Sequence, residues 1–219
     1  MTTTHYSYDD IFLFPQYSDF ESRAEADTST QLGNFKLKIP LIASPMDTVC
    51  GDEMCVALWH YGAIGILHRF MSIEENIAQY RNVRKLSANC VVSVGVGEES
   101  KARFNDLYEY GAKIFCIDVA HGHSKKMKDM LSWVKKSYQD TFVIAGNVAT
   151  PYGVKDLTEW GADIIRVGIS NGSACSTRKI TAHGVPQFSC ILNCSEFADE
   201  LGIKIIADGA IKTSGDAIK

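Results

Sequence analysis

Val154-Lys-Asp-Leu-Thr-Glu-Trp160-Gly161-Ala162-Asp-Ile164-Ile-Arg-Val-Gly168 contains one whole structural step. Val154–Trp160 carries its apolar residues at helical spacing, Gly161 stops it, and Ile164–Gly168 is an apolar run of strand length. Glycine ends a helix because it takes positive φ without a Cβ clash. The same small-residue stop recurs at Tyr61-Gly62-Ala63, Tyr110-Gly111-Ala112 and Leu201-Gly202-Ile203. One unit, helix then strand, is used repeatedly.

Working outward, the strand-like runs are Ile39–Ser44, Ala63–His68, Cys90–Gly95, Ile114–Asp118, Phe142–Gly146, Ile164–Gly168 and Lys204–Asp208. They are short, continuously apolar and rich in Val and Ile, as expected of parallel strands covered on both faces. Amphipathic stretches such as Ile73–Leu86, Lys101–Tyr110, Lys125–Tyr138 and Gln187–Leu201 separate them. Chemistry-bearing residues follow nearly every run: Ser44-Pro-Met-Asp47, His68-Arg69, Asp118-Val-Ala-His121, Gly146-Asn147, Gly168-Ile-Ser170 and Asp208-Gly-Ala210. A closed (β/α)8 TIM barrel brings all of these ends to one rim, which favours it over an open doubly wound sheet. Seven units are visible and the sequence stops in a helical stretch at Ser214–Lys219. The expectation is one catalytic barrel domain over residues 1–219, truncated after about seven βα units and incomplete at its C-terminus.

Composition bounds the function. The chain has 219 residues, 46% hydrophobic, and 22 Lys+Arg against 26 Asp+Glu give a net charge of −4. These values exclude a disordered chain and leave no basic footprint for nucleic acid. No apolar run reaches the ~18–20 residues that span a bilayer, and Met1–Tyr6 lacks a secretory signal's basic and apolar regions. Seven cysteines without a C-x-x-C pair fit a reducing compartment and buried, inert thiols, so a cytoplasmic protein is expected.

The most informative loop is Arg166-Val-Gly-Ile-Ser170-Asn-Gly172-Ser173-Ala-Cys175-Ser-Thr177-Arg178-Lys179. It leaves a strand through two glycines and presents Cys175 among backbone N–H groups, with Arg178 and Lys179 close in sequence. Both features favour thiolate, the nucleophilic form. After the last strand, Asp208-Gly209-Ala210 is a small-residue turn whose N–H groups can approach an anion. Asp208 would repel phosphate, so it reads as an acceptor for ribose hydroxyls. Asp118-Val-Ala-His121-Gly-His123 reads as substrate positioning or loop support rather than a metal site. Met54, Trp59, Met127, Met130 and Trp133 read as core.

These residues match a family. The chain resembles the IMP dehydrogenase/GMP reductase family along nearly its whole length. The match runs through Tyr8–Asp19, Ser22-Arg23, Ser44–Val49, Gly65–His68, Asp118–Ser124, Ala145–Thr150, Val167–Arg178, Gly184–Gln187 and Ile206–Gly209. The resemblance implies a (β/α)8 barrel, a homotetramer, and action on a purine nucleoside monophosphate with NAD, or with NADPH in a reductase. It further implies that Cys175 attacks purine C2 and that Thr177 helps activate water or the leaving group. Ser173 and the Gly209 turn would hold the phosphate, Asp208 the ribose, and Ser44 and Met46 the nucleotide. Asp118 and Asn147 would face the cofactor. A potassium ion would sit on the carbonyls of Ser170, Gly172 and Cys175.

Two branches remain open at this point. Tyr8–Asp19, Ser44–Asp47 and Asp118–Ser124 look more like the dehydrogenase, and on balance the motifs lean that way. The passage Lys85-Leu-Ser-Ala-Asn-Cys90, with no inserted regulatory domain, and Lys179 after Arg178 look like GMP reductase. A non-catalytic nucleotide-binding module is a third reading. Three positions depart from the family's glycines: Ser170, Ala182 and Ala210. If those glycines serve positive φ, Ser170 and its neighbours are where the loop is strained.

Overall fold

The computed structural model describes residues 4–172 and 175–219. Nine strands and eight α-helices follow in this order: β1 Thr30–Leu32, β2 Phe35–Leu37, β3 Ile42–Ala43, α1 Asp52–Tyr61, β4 Ile64–Leu67, α2 Ile73–Lys85, β5 Val91–Val94, α3 Glu98–Glu109, β6 Ile114–Asp118, α4 Lys125–Ser137, β7 Phe142–Val148, α5 Pro151–Glu159, β8 Ile164–Val167, α6 Thr177–Thr181, α7 Gln187–Leu201, β9 Lys204–Ala207 and α8 Ser214–Ile218. Strands β3 to β9 form one sheet in sequential order, each beside its neighbour in the chain. Sequential parallel strands with a helix after each are the (β/α)8 barrel class, here represented by seven βα units. No helix among the described residues is long and apolar enough to cross a membrane.

The helix boundaries follow from local chemistry. Ser72 Oγ accepts from Glu75 N–H at 3.1 Å while Glu75 Oε2 accepts from Ser72 N–H at 3.0 Å, a reciprocal cap that starts α2. Thr150 caps α5 through Gly153 N–H, with Pro151 in the first turn, where a missing N–H costs nothing. All four anticipated stops are left-handed: Gly62, Gly111, Gly161 and Gly202 have φ of 83°, 95°, 107° and 65°.

The chain divides into two compact units. One comprises residues 14–94 and 99–116. Its strands β4 and β5 are buried along their whole length, as their Val and Ile content requires. β3 is shorter than the run Ile39–Ser44. Ile39 N–H turns instead to Gly62 O at 3.1 Å, and Pro40 has no N–H to give. The antiparallel hairpin β1–β2, with Leu32 opposite Phe35 across Gly33-Asn34, is an addition to the sequence reading. Met54 is also a correction. It is exposed on α1, and its neighbour Cys55 faces the core, packed with Cys50 against Gly65.

The other unit comprises residues 1–13, 95–98 and 117–219. Strand β8 pairs in parallel with β7 and β9, Ile165 standing beside Ala145 and Ile205. On α4, Met127, Met130, Leu131 and Val134 are buried, the i, i+3, i+4, i+7 stripe of a helix laid on a sheet. Six of the seven cysteines are buried across the two units.

In the unit of residues 14–94 and 99–116, Arg103 of α3 holds the β4–α2 loop. It donates to Met71 O at 2.7 Å, Ser72 O at 3.3 Å and Asn76 Oδ1 at 3.0 Å. Arg103→Leu orphans these acceptors and should lower stability by about 2–4 kcal/mol in urea unfolding. A loss under about 0.5 kcal/mol, the size of an ordinary surface change, would show that the loop does not depend on it.

Candidate active site

Arg166 sits in the middle of β8 with 4% of its surface exposed, and a guanidinium is buried only when its charge is matched. Its Nη1 lies 2.5 Å from Asp118 Oδ1 at the C-terminal end of β6, and its Nη2 lies 2.7 Å from Asp208 Oδ2 just past β9. Asn147 Nδ2, from β7, donates to the same Asp208 oxygen at 2.6 Å and to Gly168 O at 2.8 Å. Asn147 Oδ1 is buried with no hydrogen-bond partner. Arg166 and Asp208 together therefore link residues at the ends of four strands, β6 to β9. The sequence reading placed Asp118, Asn147 and Asp208 on this rim but missed Arg166. A lone Arg inside an apolar strand was the available signal.

The backbone around this cluster tolerates no bulk. Gly168 has φ of 141°, and a Cβ there would fall 2.1 Å from Asp208 O. Gln187, the first residue of α7 and 1% exposed, donates through Nε2 to both Val167 O and Asp208 O at 3.1 Å. It ties the ends of β8 and β9 together, a role no sequence pattern announced. Gly209 has φ of 96° and lies against the Gly172 amide.

Cys175 is the one thiol in the chain that is not buried. Its pKa is lowered from the ordinary thiol value, chiefly because the Thr177 hydroxyl and then the Thr177 N–H hydrogen-bond the sulfur, with Ser170 adding to the effect. Cys50, by contrast, is pushed up by its contact with Cys55 and by burial. The thiolate is thus favoured by hydrogen bonds. Arg178, expected to help by charge, donates to Ser170 O at 3.3 Å.

That bond also bears on potassium. Ser170 O faces the Arg178 guanidinium, and Gly172 O accepts from Cys175 N–H at 3.1 Å. These are two of the three carbonyls expected to take potassium, and each oxygen keeps a second lone pair. Among the described residues, no group of three or more His, Cys, Asp or Glu side chains is placed to hold a metal. His123 Nε2 instead pairs with Asp156 Oδ2 at 2.8 Å, the loop-supporting alternative.

The three departures from glycine are all left-handed: Ser170, Ala182 and Ala210 have φ of 68°, 60° and 63°. Ser170 gains a hydrogen bond there, its Oγ donating to His183 O at 2.6 Å. These residues border a cavity of about 570 Å³ that is also lined by Arg178 and Lys212. Ser173 lies outside the described residues. Ser44 and Met46 belong to the other unit, at the end of β3. There they form a tight turn in which Ser44 O accepts from Met46 N–H at 2.8 Å.

Known proteins match this chain over nearly its whole length. The family model for the IMP dehydrogenase / GMP reductase domain matches residues 5–219. The chain belongs to that family. GMP reductase of Streptococcus agalactiae is 37% identical over 216 residues, covering 98% of this chain and 65% of the relative. GMP reductase of Mesoplasma florum is 36% identical over 219 residues, covering 98% and 67%. The crystal structure of inosine 5′-monophosphate dehydrogenase from Legionella pneumophila superposes with a TM-score of 0.90 at 41% identity, covering 98% of this chain and 65% of that one. The chain thus spans about two thirds of the length of these family members.

Two outcomes test the site. Iodoacetamide should alkylate Cys175 with a pH midpoint below the ordinary thiol value, and Thr177→Val should move it upward; an unchanged midpoint would remove Thr177 as its cause. Ala210→Gly relieves a left-handed alanine and should raise stability by about 1 kcal/mol in thermal or urea unfolding. A destabilised Ala210→Gly would show that the turn is not strained.

Proposed function

We propose that the chain is the Cys175-bearing part of a purine nucleotide oxidoreductase. The observation that carries this reading is a single accessible thiol, its pKa lowered by Thr177, on a loop that meets the Asp208-Gly209 turn. The Cys175 thiolate attacks C2 of a purine nucleoside 5′-monophosphate. Thr177, which hydrogen-bonds the sulfur beforehand, is released once the sulfur bonds carbon, and its hydroxyl then positions the water or ammonia exchanged at C2. Asp208, oriented by Arg166 and Asn147, accepts from the ribose hydroxyls. The Gly209 turn and Ser173 receive the phosphate, and Ser44 and Met46 contact the nucleotide. The bound nicotinamide cofactor supplies or accepts hydride at C2. Asn147 Oδ1, buried without a partner, fits the amide N–H of the nicotinamide carboxamide, and Asp118 flanks it. Assembly as a homotetramer belongs to the same reading.

Two directions balance chemically. In the reductase direction, GMP and NADPH give IMP, NADP and ammonia; in the dehydrogenase direction, IMP, NAD and water give XMP and NADH. The reductase direction is supported by Streptococcus and Mesoplasma relatives aligned over 98% of the chain, by the direct passage from α2 to β5, and by Lys179. The dehydrogenase direction is supported by the Ser44–Asp47 and Tyr8–Asp19 motifs and by the 41% identity to the Legionella enzyme. We favour the reductase, because the relatives compared by sequence carry that name and α2 passes to β5 without an inserted domain.

Absorbance at 340 nm separates the two readings. A fall with GMP and NADPH is the expected result, and a rise with IMP and NAD would assign the dehydrogenase instead. Cys175→Ser should reduce either rate by a factor on the order of a thousand or more, as loss of a covalent nucleophile does. Turnover that survives Cys175→Ser would contradict the mechanism.

A further inference from the structure

A second cavity, of about 210 Å³, opens at the N-terminal ends of β5 and β6. It lies wholly within the unit of residues 14–94 and 99–116, at the opposite ends of these strands from the residues that carry chemistry. Its wall includes Tyr80, Arg84, Lys113, Asn34, Asn89 and Phe35, and no Asp or Glu lines it.

Tyr80 is 5% exposed, and its side chain lines the cavity. A phenol that lines a cavity offers one O–H donor to an acceptor bound there. Arg84 and Lys113 both act electrostatically on this phenol, which places two positive charges around it. Burial raises the Tyr80 pKa, so the hydroxyl remains a donor. One Arg84 nitrogen, Nη1, donates to Ala88 O and Asn89 Oδ1, anchoring the guanidinium to the turn between α2 and β5. Its Nε and Nη2 have no acceptor among the described residues, and a guanidinium presents five donors in all. The Lys113 ammonium is held 3.7 Å from the centre of the Tyr108 ring, which fixes it near the mouth of the cavity.

Two fixed cations, a phenolic donor and amide donors around one acid-free cavity match a compact dianion better than a carboxylate. We propose that this cavity binds a phosphoryl group, as inorganic phosphate or as the phosphate of a small ester, at a site separate from the Cys175 loop. The pairing of a planar guanidinium with a point-charge ammonium suits tetrahedral phosphate oxygens. The volume leaves room for a few further heavy atoms and none for a whole nucleotide. This site does not depend on the direction of the redox reaction.

The test is a ¹⁵N NMR titration of the 219-residue chain with inorganic phosphate and, separately, with ribose 5-phosphate, each against sodium chloride at matched ionic strength. The amide signals of Asn89, Cys90, Gly111 and Lys113 should shift with phosphate and not with chloride. Tyr80→Phe, which removes only the hydroxyl, should weaken binding several-fold, and Arg84→Gln with Lys113→Gln should weaken it by about tenfold or more, the scale of charge-assisted hydrogen bonds. Tighter binding of ribose 5-phosphate assigns an ester as the occupant, and tighter binding of inorganic phosphate assigns the free ion. Equal shifts with chloride, or affinity unchanged in both Tyr80→Phe and Lys113→Gln, would overturn the proposal. Unlike Arg84, neither of these residues anchors the turn.

Discussion

One buried guanidinium organises the rim of this protein. Arg166 is held between Asp118 and Asp208, which arrive from strands β6 and β9 on either side of it. Bringing such a cation out of water costs several kcal/mol, and only the two carboxylates together offset that. The arrangement therefore cannot drift by small steps, because loss of either partner strands a charge. The carboxylate assigned to the ribose and the one assigned to the cofactor side are set in register by a side chain that need touch neither ligand. Gln187 and Gly168 extend the same constraint to the backbone, closing β8 against β9 where a single methyl group would not fit.

Against that rigid rim, the Cys175 loop is conformationally tense. Three residues around it, Ser170, Ala182 and Ala210, adopt left-handed backbone, at roughly 1–2 kcal/mol each for an L side chain. Ser170 recovers part of this through its bond to His183 O. Ala182 takes the left-handed cap position that ends α6, and nothing in the structure explains Ala210. Strain of this kind persists where surrounding contacts over-determine the backbone, and it collects at sites that must hold a reactive group in one place. Here the held group is a thiol whose pKa is lowered by adjacent hydroxyl and amide donors.

Much of this architecture was legible in the sequence, because a period of glycine-stopped helices and apolar runs reports local conformation directly. The four stops are left-handed glycines, and the strands fall on the expected runs. Cys175 was legible too, since a cysteine on a glycine-bordered loop after a strand has few structural reasons to be there. The Arg166 cluster was not, because its partners stand 48 and 42 residues away and periodicity carries no information about which side chains meet. The hairpin β1–β2 was missed although Gly33-Asn34 is a two-residue turn signal, its strands being only three residues long. Helical spacing misplaced Met54 because α1 is apolar on more than one face, and only packing decides which face is buried. Of the two features read as favouring the thiolate, backbone N–H groups and nearby charge, the second was misread for a related reason. Sequence shows that Arg178 is near, while geometry shows it turned toward Ser170 O.

One sulfur out of seven is not buried, and the proposed reaction requires it beside the nucleotide. Mass-spectrometric mapping of thiol labelling at neutral pH, with and without a purine nucleoside monophosphate, tests this. Cys175 should be labelled first, and the nucleotide should shield it while the six buried thiols remain unreacted. Preferential labelling of any other cysteine, or labelling of Cys175 that nucleotide leaves unchanged, would contradict it.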